Sequence, residues 1–122
     1  MKHILFFGDR PSPRMKINAK PFKGAACENR LREWIVYLTK DIRTTVWIEN
    51  QVNCDIGLLQ YWSRGCIVVA LGNNASKALT KASVSHFKLP HPSGLNRQLN
   101  NKKYVAKRLK ECYNYIREEI QE

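Results

Sequence analysis

Two uninterrupted apolar runs constrain the fold more than any other feature: Ile4-Leu5-Phe6-Phe7 stopping at Gly8, and Cys66-Ile67-Val68-Val69-Ala70-Leu71 stopping at Gly72. A strand with one wet face alternates apolar and polar residues, whereas an unbroken run needs cover on both faces. The architecture that supplies such cover is a parallel sheet between two layers of helix. Two weaker strands join them, Thr45 to Ile48 running into Glu49-Asn50, and Val84 to Leu89 ended by Pro90. Between the strands lie helical patterns. Glu28 to Thr39 sets Leu31, Trp34, Ile35 and Leu38 on one face, and Asp55 to Trp62 reads as a short helix with Leu58, Leu59 and Trp62 inward. Ala75 to Lys81 can be capped by Asn73 or Asn74, and Lys102 to Gln121 is a long amphipathic helix with Val105, Leu109, Cys112, Ile116 and Ile120 inward. Strands alternating with helices predict an α/β protein: a three-layer α/β/α sandwich around a central, mainly parallel four-stranded sheet with right-handed crossovers. Trp34, Trp47 and Trp62 read as core.

With 122 residues the chain has room for one domain, taken as residues 1–122. No apolar run approaches the roughly 20 residues of a membrane span, and the run after Lys2 is too brief for a secretion signal, so a soluble, cytoplasmic protein is expected. No interface signature stands out, and a monomer is expected. Cys27, Cys54, Cys66 and Cys112 are scattered without a C-x-x-C pair, which predicts buried thiols and no metal site. No G-x-G-x-x-G or Walker loop follows a strand, which argues against a nucleotide-cofactor enzyme.

Charge narrows the partner. Lys and Arg number 21 against 10 Asp and Glu, a net charge of +11. The segment Arg10 to Cys27 holds Arg10, Arg14, Lys16, Lys20 and Lys23 and no acid; Ser85 to Lys110 holds Lys88, Arg97, Lys102, Lys103, Lys107, Arg108 and Lys110 and no acid. Outside these two segments nine basic residues face ten acidic ones, so the whole excess lies around the first and last strand ends. Ligands of open parallel sheets bind at the carboxyl ends of strands, and a basic rim there fits a polyanion such as DNA.

The strand ends also carry motifs. In order they are Gly8-Asp9-Arg10-Pro11-Ser12, Pro21-Phe22-Lys23-Gly24, Ile48-Glu49-Asn50, Leu71-Gly72-Asn73-Asn74-Ala75 and His91-Pro92-Ser93-Gly94-Leu95. This succession resembles the uracil-DNA glycosylase superfamily over about residues 4 to 97. The last motif is the most telling, combining the His-Pro-Ser of uracil-cleaving members with the Ser-Gly-Leu of the mismatch-specific branch. In the first, the third position, acidic in the best-known uracil-cleaving branch, is Arg10; Asp9 matches the acidic second position of the Gly-Glu-x-Pro-Gly branch. That branch carries an iron-sulfur cluster on four cysteines, of which only Cys54 falls at a similar place, so no cluster or other cofactor is expected.

The resemblance implies a division of labour. Glycosidic cleavage leaves positive charge on the sugar and negative charge on the departing base. His91 would donate to the anionic base oxygen, and Asp9 would stabilise the sugar cation and orient water. Phe22 would stack on the extruded base and Asn50 would read its edge. Leu95 would fill the vacated stack, while Arg10, Pro11, Ser12, Lys23, Ser93, Gly94 and Arg97 would contact the DNA backbone. Two other readings fit the same pocket: a glycosylase-fold protein that binds DNA without cleaving it, and an enzyme of modified-base metabolism.

Overall fold

In the computed structural model, which describes residues 3–8, 27–50, 60–61, 64–91 and 101–121, the chain forms β1 (His3–Gly8), α1 (Cys27–Thr39), β2 (Val46–Asn50), β3 (Cys66–Leu71), α2 (Asn73–Lys81), β4 (Phe87–Leu89) and α3 (Lys102–Gln121). The four strands pair in parallel in the order β2-β1-β3-β4. The two apolar runs are the two inner strands. Ile4 to Phe7 and Ile67 to Leu71 are all buried, as an unbroken run demands.

Alternation along the inner strands divides the core in two. Ile4, Phe6, Ile67, Val69 and Leu71 face Leu31, Trp34 and Leu38 of α1 and Cys112 and Ile116 of α3. Leu5, Phe7, Val68 and Ala70 face Ala75 and Leu79 of α2. The chain steps from β1 one way to β2 and from β3 the other way to β4. Crossovers of one hand that step in opposite directions must carry their helices on opposite faces. The result is the α/β sandwich expected from the sequence, with an all-parallel sheet.

Three local expectations are corrected. The helix after β3 begins at Asn73 with Gly72 as its cap, and no side chain caps it. The last strand is confined to Phe87–Leu89. Ser83, at φ 58°, turns the chain, Val84 N–H donates to the Leu79 carbonyl, and His86 is clamped between Ser76 Oγ at 2.7 Å and the Val84 carbonyl at 2.8 Å. A carbonyl only accepts, so Nδ1 of His86 carries the proton and Nε2 accepts from Ser76. Trp34 is core, but Trp47 is 53% exposed. It points from the edge strand β2 toward the α2 side, where α2 covers β3 and β1, and its ring makes a T-shaped contact with His3. Of the expected helix at 55–62, only Gln60 and Tyr61 are described, as helical; Trp62 lies outside the described residues.

Both α1 and α3 run back from the carboxyl edge of the sheet, so their far ends meet. There Arg117 of α3 donates to the Leu38 carbonyl at 3.0 Å and to the Lys40 carbonyl at 2.6 Å, with its guanidinium stacked on Tyr113. Carbonyls in the last turn of a helix have no partner within the helix, and a planar cation suits both them and the helix dipole. Arg117→Ala is expected to cost about 2 kcal/mol in urea unfolding, and Arg117→Lys should restore less than half of that, because one ammonium cannot span both carbonyls.

Cys112 is fully buried and Cys66 half-buried; burial pushes the Cys112 thiol up to about 12 and raises Cys66 as well. Folding therefore holds the Cys112 proton more tightly than the unfolded chain does. The stability linked to it is complete below the ordinary thiol range and is lost as pH climbs from about 9 toward 12. Cys112→Ala should unfold with a shallower loss of stability over that interval than the wild type, as read from denaturation midpoints at successive pH values.

Candidate active site

Four parallel strands put four carboxyl ends on one edge: Gly8 of β1, Asn50 of β2, Leu71 of β3 and Leu89 of β4. The register aligns Gly8 with Asn50, and Leu71 with Leu89. The strand order reverses direction between β1 and β3, and a crevice opens in such sheets where connections leave to opposite faces. Gly8 and Leu71–Gly72 flank that point. The outer ends, Asn50 and Leu89, stand three strand spacings apart, about 14 Å.

The β3 and β4 ends are the best defined part of the site. Gly72 N–H donates to the Leu89 carbonyl at 2.9 Å, which ties the two strand ends together just before α2 begins. Gly72 sits at φ 98° and ψ 173°, a conformation essentially restricted to glycine. Its missing side chain is also occupied space: a Cβ there would lie 3.2 Å from Cβ of His91 and 3.4 Å from its ring carbon Cδ2. His91, half-buried, therefore packs on the bare face of Gly72. Pro90 before it is buried.

The His91 ring borders a cleft of about 170 Å³ lined by Gly72, Asn73, Lys88, Leu89, Pro90 and Tyr104. This is below the roughly 300–1,000 Å³ that encloses a drug-sized molecule. Two larger hollows, about 350 and 660 Å³, open at the opposite, amino-terminal end of the strands around Cys66, Val84 and Ser85. We take the smaller cleft as the site because it lies at the strand ends that bear the motifs, and parallel sheets bind ligands there. Among the described residues no group of three His, Cys, Asp or Glu could hold a metal ion.

Of the residues singled out in the sequence, the structure describes His91 in full and Asn50 as the last residue of β2. Asp9, Arg10, Pro11, Ser12, Phe22, Lys23, Ser93, Gly94, Leu95 and Arg97 lie outside the described residues. Asp9 follows Gly8 in the chain, so its attachment point is the switch-point end of β1. Three further residues line the cleft, of which sequence reasoning places Lys88 in a basic segment and Asn73 in a motif, and misses Tyr104. Lys88 Nζ donates to Asn73 Oδ1 at 3.0 Å, and Tyr104 comes from the first turn of α3. Nothing local marks Tyr104; only the return of α3 to this edge brings it in.

Comparison with known families matches residues 2–117 to the model of the uracil DNA glycosylase superfamily. The chain belongs to that superfamily. No curated protein and no solved structure matches it. The superfamily implies a DNA substrate, in keeping with the net charge of +11. No helix among the described residues is long and apolar enough to cross a membrane.

The Gly72 geometry yields a direct test. Gly72→Ala combines a forbidden backbone conformation with a crowded Cβ and is expected to cost about 1–3 kcal/mol or more in chemical denaturation. Any folded variant should show displaced His91 ring resonances in NMR spectra, with the Arg117 region unmoved.

Proposed function

We propose that this protein is a monofunctional DNA glycosylase that flips uracil or a related altered pyrimidine out of DNA and hydrolyses its N-glycosidic bond. The observation that carries this reading is His91, which lines a small cleft at the carboxyl edge of the sheet in a chain of the uracil DNA glycosylase superfamily. Three of the groups named from the motifs adjoin strand ends in the chain, which supports this reading. Asp9 follows β1, Asn50 ends β2 and His91 follows β4.

In the reaction the bond from sugar C1′ to the base nitrogen breaks with its electron pair leaving on the base. Water adds to C1′ and gives up a proton. His91 donates a hydrogen bond to the base oxygen that takes the charge, and preorganised donors of this kind are worth about 10²–10³ in rate. The Asp9 carboxylate faces the sugar cation and accepts the proton from water. Phe22 stacks on the extruded ring and the Asn50 amide pairs with its edge, offsetting the few kcal/mol that unstacking costs. Leu95 enters the gap in the stack, and Arg10, Pro11, Ser12, Lys23, Ser93, Gly94 and Arg97 hold the flanking backbone. The reaction requires no cofactor.

Arg10 favours a second reading. It stands where the best-known uracil-cleaving branch has its acid, and a cation there suits DNA binding without cleavage.

The deciding experiment incubates the protein with single- and double-stranded oligonucleotides carrying one uracil and scores alkali-labile abasic sites. Cleavage is expected, falling at least 100-fold in His91→Ala and in Asp9→Asn while binding persists. Binding without cleavage across uracil, 5-hydroxymethyluracil, hypoxanthine and mismatches would overturn the glycosylase in favour of the non-cleaving protein.

A further inference from the structure

The charge on α3 runs against what a helix prefers. Carbonyls point to its far end and N–H groups to its start, so acids stabilise the first turn and bases the last. In α3 the first half carries Lys102, Lys103, Lys107, Arg108 and Lys110 against Glu111, and the second carries Glu118 and Glu119 against Arg117; the first turn has no acid and the last no base. The basic half is also crowded with itself, since Lys103 and Lys107 are four apart and Lys107 and Lys110 three apart, spacings at which like charges repel. Lys103, Lys107 and Lys110 form a stripe of about 10 Å on the side opposite Val105, Leu109, Cys112 and Ile116, and all three are exposed. The one ion pair on this half among the described residues is Arg108 with Glu111, at 3.6 Å.

The like-charge spacing of the three lysines works against the helix, and the position of the stripe is informative. The first turn of α3 returns to the carboxyl edge, where Tyr104 lines the cleft with His91 and Lys88. One helical turn on, Arg108 lies over the Phe87 ring, 4.4 Å from its centroid, and donates to the Lys88 carbonyl at 2.6 Å. The lysine stripe is therefore fixed to β4 and starts beside the cleft. The large apolar residues of this half turn inward to the sheet, which leaves the stripe no apolar wedge for a lipid surface.

We propose that Lys103, Lys107 and Lys110 form a second phosphate track, continuous with the cleft, that grips the DNA backbone beyond the nucleotide being extruded. The proposal builds on the DNA reading above and adds to it a footprint and a direction. Phosphates advance about 3.4 Å per nucleotide along one strand, so 10 Å of lysines spans about three of them. Arg108 acts as a positioning residue, holding the stripe against β4.

The test titrates the full-length protein with an unmodified 15-base-pair duplex at 50 to 200 mM NaCl and compares it with the Lys103→Gln, Lys107→Gln, Lys110→Gln triple variant. Three lost phosphate contacts lower the slope of log K against log salt by about 2.7, so the wild type should lose about 40-fold more affinity over that range than the variant. The variant's melting temperature should equal or exceed the wild type's. Equal slopes and affinities, or no duplex binding by the wild type at 50 mM salt, would overturn the track. Because the duplex holds no altered base, the track can stand where excision fails, and excision on a uracil trinucleotide by both proteins would uphold the glycosylase even where the track falls.

Discussion

The structure depends on β1 having no free side. It is hydrogen-bonded to β2 and β3 along its two edges and covered by helices on its two faces, so six residues fix the sheet order, the two helix layers and the place where the order reverses. Every later feature of the site follows from that reversal. With β1 and β3 side by side and their connections leaving in opposite directions, the edge between them is where the chain leaves a crevice. The catalytic acid proposed here is attached to one of those strands and the glycine that supports His91 to the other.

Legibility in the sequence followed burial. The expected bounds of β3 and of the long final helix match the structure and β1 differs only by His3, because buried apolar residues set their patterns; Ile120, grouped with the inward face of that helix, is instead 39% exposed. Errors came where a residue's setting depended on distant chain. Trp47 has the bulk of a core residue but sits on an edge strand, and no local pattern reveals that β2 is the edge. Asn73 is a good capping residue, yet its side-chain oxygen accepts a hydrogen bond from Lys88, fifteen residues away, while Gly72 caps the helix. Residues 84–86 follow the turn at Ser83 and form no strand, and His86 is held there by Ser76 and the Val84 carbonyl.

The site was legible as motifs and not as geometry. A succession of strand-end motifs pointed to the superfamily that the family comparison shows. It could not reveal that Gly72 is bare so that His91 can lie against it, or that Tyr104 and Lys88 share the cleft. Those relations arise between elements far apart in the chain, and only the sheet brings them together.

The inverted charge of α3 makes ionic strength act on this molecule in two opposed senses. Added salt masks the repulsion among the lysines and their mismatch with the helix dipole, which steadies the free fold; the same ions compete for any polyanion the lysines hold. In dilute medium a bound nucleic acid would supply the counter-charge to these lysines. A protein so built is tightest, and gains most in stability from its partner, under the conditions in which it is least comfortable alone.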